Sequence, residues 1–179
     1  MVRLRHLSSL LLAAVALACT QSESPSKAPL EVPKSVWVEI GGEPFELELA
    51  LDAASRYTGL SGRSAIEPNG GMLFVNPIAK PEAMVMRDCP IPIDVAFLDS
   101  SGEVVAIYEM RPELPRRPGE SQSQYESRLR VYSSGAPAEF AIETAGGRLR
   151  EIGLKQGDRV VFDFAQTLEL ARRVENHQR

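Results

Sequence analysis

Gly71–Asp99, GMLFVNPIAKPEAMVMRDCPIPIDVAFLD, sets two dense apolar runs around a segment cut by prolines and single charges. Met72–Val75 and Val95–Leu98 carry no polar face, which is the composition of strands covered on both sides. Pro77 and Pro81 predict an irregular segment after the first run, followed by a strand-like Ala83–Met86. Pro90 and Pro92 hold Cys89–Ile93 extended and outside any ladder. Arg87, Asp88, Cys89 and Asp94 all fall in this proline-framed part, so one stretch supplies both core and a candidate polar site.

The flanking sequence reads as more strands. Val36, Val38 and Ile40 alternate with Trp37 and Glu39, Gly41-Gly42-Glu43-Pro44 supplies a turn, and Phe45, Leu47 and Leu49 alternate with Glu46 and Glu48. That pattern predicts a hairpin with one wet face. Asp52 is placed to cap a short helix reaching Leu60. Asp99–Glu103, with Gly102 free to adopt positive φ, predicts a second hairpin joining Ile93–Leu98 to Val104–Tyr108. Arg111–Gly135 is charged, low in apolar residues and reads as a long solvated excursion. Ala138–Glu143 and Val160–Phe164 read as strands and Arg148–Ile152 as one helical turn; in the C-terminal tail, residues 166–179, Leu168–Val174 has weak helical spacing and the end through Arg179 reads as fraying. The sum predicts a mainly β fold, barrel-like or two-layered, with about seven or eight short strands and one short helix.

Outside this domain, expected over residues 35–165, the chain begins as an export signal. Arg3, Arg5 and His6 form a basic start, and Leu7–Leu17 is an apolar run too short for a comfortable membrane span. Ala16-Leu17-Ala18-Cys19 resembles a bacterial lipobox, which implies a lipid on Cys19 and a membrane-anchored lipoprotein facing the periplasm or cell exterior. Residues 20–34, rich in Ser and Pro, read as a flexible linker.

Composition removes several classes of function. Twenty Lys and Arg against 24 Asp and Glu give a net charge of -4, which is no footprint for nucleic acid. The only histidines are His6 and His177, so the domain interior offers no Ser-His-Asp triad, Cys-His pair or His-ligated metal site. Gly41-Gly42, Gly70-Gly71 and Gly146-Gly147 lack the lysine and helix context of a phosphate loop. No cofactor or metal is expected. Met72, Met84 and Met86 read as core rather than soft-metal ligands. Cys89 reads as a small buried thiol, since Asp88 beside it opposes deprotonation. Asp94 interrupts an apolar run, and its charge needs a partner there, for which Arg87 or a backbone N–H is the nearest candidate.

Thr58-Gly59-Leu60, Gly71-Met72-Leu73-Phe74-Val75, Met84–Cys89 and Ile91-Pro92-Ile93-Asp94 through Asp99, followed by Ala145-Gly146, Gly153 and Gly157-Asp158, resemble the family catalogued as domain of unknown function 192. The resemblance spans about Phe45–Phe164 and implies a compact, barrel-like, mainly β domain that is often exported or lipid-anchored. It brings no established activity. The family's Trp-Met-Lys-Asn-Thr run is Val85-Met86-Arg87-Asp88-Cys89 here, and Ser61 stands where a methionine is usual. The resulting expectation is a domain binding a small ligand, a glycan or an envelope protein, with Arg87, Asp94, Met72, Phe74 and Met86 lining the site. Two alternatives are a histidine-free hydrolase or lyase acting on carbohydrate through Asp94 and Glu143, and a structural envelope protein in which Arg87 and Asp94 pair.

Overall fold

The structure, a computed structural model, describes residues 30–178. Alternation near the start of the domain produces β1 (Ser35–Ile40) and β2 (Glu43–Ala50), with Ile40 opposite Glu43. Only Gly41 and Gly42 remain in the turn, at φ of 59° and 82°, the left-handed geometry that a two-residue hairpin needs. Asp52 and Ser55 form a reciprocal capping box that starts α1 (Ala53–Thr58). The chain then re-enters the sheet as β3 (Met72–Met84), parallel to β2.

Next come β4 (Ile93–Leu98) and β5 (Val104–Met110), an antiparallel hairpin. Asp99 holds its turn by accepting the N–H groups of Ser101 and Glu103 at 2.8 and 3.0 Å. After α2 (Gln122–Ser127), β6 (Tyr132–Ala145) inserts between β3 and β4. The chain closes with α3 (Arg148–Glu151) and α4 (Phe164–Gln178). The strand order is β1-β2-β3-β6-β4-β5.

Both faces of this sheet are covered. Leu73, Val75, Ala96 and Ile142 face α3 and α4, packing with Leu149, Ala171 and Val174. Met72, Phe74, Val95 and Ala141 face the other way, against Leu60 and Met86. That double burial is why the two runs in Gly71–Asp99 have no polar face.

The barrel expectation is overturned: the sheet has six strands and stays open, and four helices accompany it among the described residues. Two physical causes reduce the strand count. Met72–Val75 and Ala83–Met84 belong to one strand, because register shifts against β6 absorb Pro77 and Pro81 instead of ending the ladder. Val160–Phe164 forms no strand; Arg159 and Val161 make single bridges to Glu103 and Glu39, which blunt both edges without closing them.

The tail and the excursion also differ from expectation. The weak helical spacing of Leu168–Val174 belongs to a longer α4 that takes in the end expected to fray, buries Thr167, Ala171 and Val174 and is tied to α1 by an Arg56–Glu175 ion pair at 2.9 Å. Arg111–Gly135 is mostly exposed, as expected of a surface excursion, but it is a fastened strap: Tyr125 and Leu129 are buried, and Arg128 bonds the carbonyls of Leu114 and Pro115. The membrane-anchor expectation has no counterpart in the described residues, where no helix is long and apolar enough to cross a membrane. Cys19, with its expected lipid, and the leader lie outside the described residues.

Candidate functional site

The five residues expected to line a site do not converge. Strand β4 directs Asp94 toward α3, where its Oδ1 accepts the Gly147 N–H and its Oδ2 the Leu149 N–H, both at 2.8 Å. Burial raises its pKa above the ordinary value, and the two N–H groups oppose that shift. Asp94 is thus a helix cap built from a distant strand. A cavity of about 290 Å³ lies beside it, also lined by Tyr108, Glu109 and Arg150.

Arg87 points elsewhere. Its guanidinium stacks 3.6 Å from the Tyr57 ring centroid, donates to the Tyr57 carbonyl and meets Glu126 Oε1 at 3.3 Å. The Arg87–Asp94 pair therefore does not form. Met72, Phe74 and Met86 are buried core side chains. Among the described residues no group of three or more His, Cys, Asp or Glu side chains is placed to hold a metal ion.

The carboxylate pair fares no better as a catalytic dyad. Asp94 is in register with Thr144 and Val95 with Glu143, so the period of two turns Asp94 and Glu143 to opposite faces of the sheet. Glu143 sits on the face shared with Met72 and Phe74, beneath Gly59, whose missing Cβ would lie 3.7 Å from its Oε2. It is 6% exposed, with no hydrogen-bond partner among the described residues, and burial pushes its carboxyl up to about 8. Beside it the half-buried Cys89 thiol is pushed up to about 11, by burial first and by Glu143 second. This thiol is a poor nucleophile at neutral pH.

A more open site lies on the wet face of the first hairpin. Trp37, opposite Glu46 in register, is 65% exposed. Residues 63–71 rise beside it and enclose a groove of about 1110 Å³, lined among others by Lys34, Glu46, Glu48, Arg63 and Asn69. Arg63 binds Glu48 through two contacts of 2.5 and 2.7 Å, which holds the Glu48 carboxyl below its ordinary range. The Asn69 carbonyl accepts the Glu46 N–H at 2.9 Å, and the Gly71 carbonyl accepts the Glu48 N–H at 3.0 Å. Arg148 donates to Asn69 Oδ1 at 2.8 Å. The wall is thereby fixed to the sheet. The signal in the sequence was one tryptophan on an otherwise acidic strand face; the wall opposite it carried none.

Residues 36–162 match the family described as an uncharacterized ACR, domain of unknown function 192 (DUF192). The chain belongs to this family. Two solved structures are similar to it. One, from Sinorhizobium meliloti 1021 and described as a candidate transcription regulator, is 25% identical over 71% of this chain and 91% of that one, with a TM-score of 0.56. The other, a protein of unknown function from Novosphingobium aromaticivorans DSM 12444, is 23% identical over 79% and 94%, with a TM-score of 0.60. No curated protein matches the chain.

Two DUF192-like signatures have a mechanical reading here. Gly71, which precedes the Met-Leu-Phe run, has φ of 141°, and a Cβ there would lie 2.0 Å from the Glu143 carbonyl oxygen. Only glycine lets β6 approach that closely. In the Ile-Pro-Ile-Asp block, Asp94 caps α3.

Proposed function

We propose that this DUF192 domain is an extracytoplasmic binding module whose ligand lies in the groove between the outer face of β1–β2 and residues 63–71. The observation that carries this reading is the exposed Trp37 on the floor of a pre-formed groove of about 1110 Å³. Ligand sites combine concavity, aromatic surface and a few placed polar groups, and this groove has all three. Its rigidity lowers the ordering cost of binding. The basic and then apolar start of the chain supports an extracytoplasmic address.

A histidine-free hydrolase is disfavoured by Asp94 and Glu143 lying on opposite sheet faces. This chain is ill suited to the regulator description that the Sinorhizobium protein carries. Its net charge of -4 and the carboxylates along the groove would repel a polyanion.

Trp37 is the only tryptophan, so its emission reports the groove directly. Glycan, peptide and lipid fractions of a solubilised cell envelope are added in turn, and acrylamide quenching is followed. One fraction should move the emission to shorter wavelength and slow quenching. Unchanged emission and quenching with all three would overturn the reading.

A further inference from the structure

We propose that the groove takes an uncharged pyranose chain, one ring stacked on Trp37 and its hydroxyls donating to carboxylate oxygens of Glu46 and Glu67. This rests on the groove being the binding site and names its ligand class. An exposed aromatic face in a polar groove suits a ligand that is apolar on one side and hydroxylated at its rim. A pyranose with equatorial substituents has that shape, since its axial C–H bonds form a flat apolar face.

The groove carries three carboxylates, Glu46, Glu48 and Glu67, and two cations, Lys34 and Arg63. Arg63 is committed to Glu48 through both nitrogens. Glu46 accepts the Ser35 hydroxyl at 2.6 Å through Oε1, and its Oε2 has no protein donor among the described residues. What remains for a ligand is the Glu46 and Glu67 carboxylates against the single Lys34 ammonium, an excess of acceptors that hydroxyl donors satisfy and that phosphates, sulfates or uronates oppose.

An extended peptide suits this groove less well. Strand addition needs a free sheet edge, and at Glu39 the β1 edge already exchanges both backbone bonds with Val161, at 2.9 and 3.0 Å. The groove opens on a sheet face, where rings stack and strands do not pair.

The test uses the full chain with cellotetraose, tetra-N-acetylchitotetraose and tetragalacturonate, read by Trp37 emission and by calorimetry. At least one uncharged tetramer should shift the emission to shorter wavelength in a saturable way, and tetragalacturonate should bind at least tenfold more weakly. Trp37→Ala should lower the association constant at least tenfold and Trp37→Phe less, with circular dichroism unchanged because the side chain is largely exposed. Glu46→Gln should weaken binding about threefold.

The proposal is overturned if neither uncharged tetramer binds, if the uronate binds equally well, or if Trp37→Ala keeps wild-type affinity. Should the tetramers fail while a peptide or lipid fraction protects Trp37, the groove stands and the saccharide class falls. Should nothing protect Trp37, both fall.

Discussion

Replacing Glu143 by glutamine should remove the part of the domain's stability loss between about pH 5 and pH 8 that this carboxyl causes. The carboxyl has an ordinary value of 4.5 and is raised to about 8 in the folded chain. Below the lower value both states hold the proton and no penalty exists. As pH rises past it, the unfolded chain ionises while the folded one stays protonated, so the folded state binds more protons and stability falls. Each pH step costs about 1.4 kcal/mol, giving about 3 kcal/mol by pH 7 and about 5 kcal/mol once the folded state also ionises. Glutamine keeps the shape and removes the titration. Its amide also lacks partners at this site, a cost of about 1–3 kcal/mol that does not depend on pH. Urea denaturation followed by far-UV circular dichroism at pH 5, 6, 7 and 8 measures both chains. Other titrating groups contribute equally to the two, so the difference between them isolates position 143. That difference should move in favour of Glu143→Gln by about 1.4 kcal/mol per step. A difference that stays constant from pH 5 to pH 8 would refute the buried, unpartnered state of Glu143.

Three further outcomes follow from the same geometry. Asp94→Ala should destabilise the domain by about 2–4 kcal/mol in chemical denaturation, since it leaves the Gly147 and Leu149 N–H groups without their acceptor; a change below about 0.5 kcal/mol would mean that α3 does not depend on this cap. Gly71→Ala should abolish cooperative unfolding, because a Cβ would sit 2.0 Å from the Glu143 carbonyl oxygen; retained wild-type stability would contradict the close approach of β6. Cys89, with its thiol near 11 instead of 9, should react with iodoacetamide at pH 7 about a hundredfold more slowly than an unperturbed thiol, read by mass spectrometry of the intact chain.

Local chemistry was legible in the sequence wherever the partners lie within a few residues. The Gly41-Gly42 turn, the Asp52 cap, the Asp99–Glu103 hairpin turn and the apolar runs Met72–Val75 and Val95–Leu98 each rest on near neighbours or on strand period. The motifs of Gly71–Asp99 also pointed to the DUF192 family, which the match over residues 36–162 bears out. Strand count was less legible. Prolines look like breaks until a partner strand shifts register around them, and Val160–Phe164 looks like a strand although only isolated bridges reach it.

The partners of the charged groups belonged to tertiary structure alone. Asp94 and Arg87 are seven residues apart and seemed matched, yet the β4–β6 pairing turns Asp94 to α3, while the strap brings Glu126 to Arg87 from 39 residues away. Likewise, alternation left Trp37 on a wet face, but its groove exists only because residues 63–71 are bonded back onto β2. The physical reason is range. Propensity and period act over a few residues, whereas the burial of a charge and the walls of a groove depend on which distant backbone N–H groups and side chains the sheet order brings within hydrogen-bond reach.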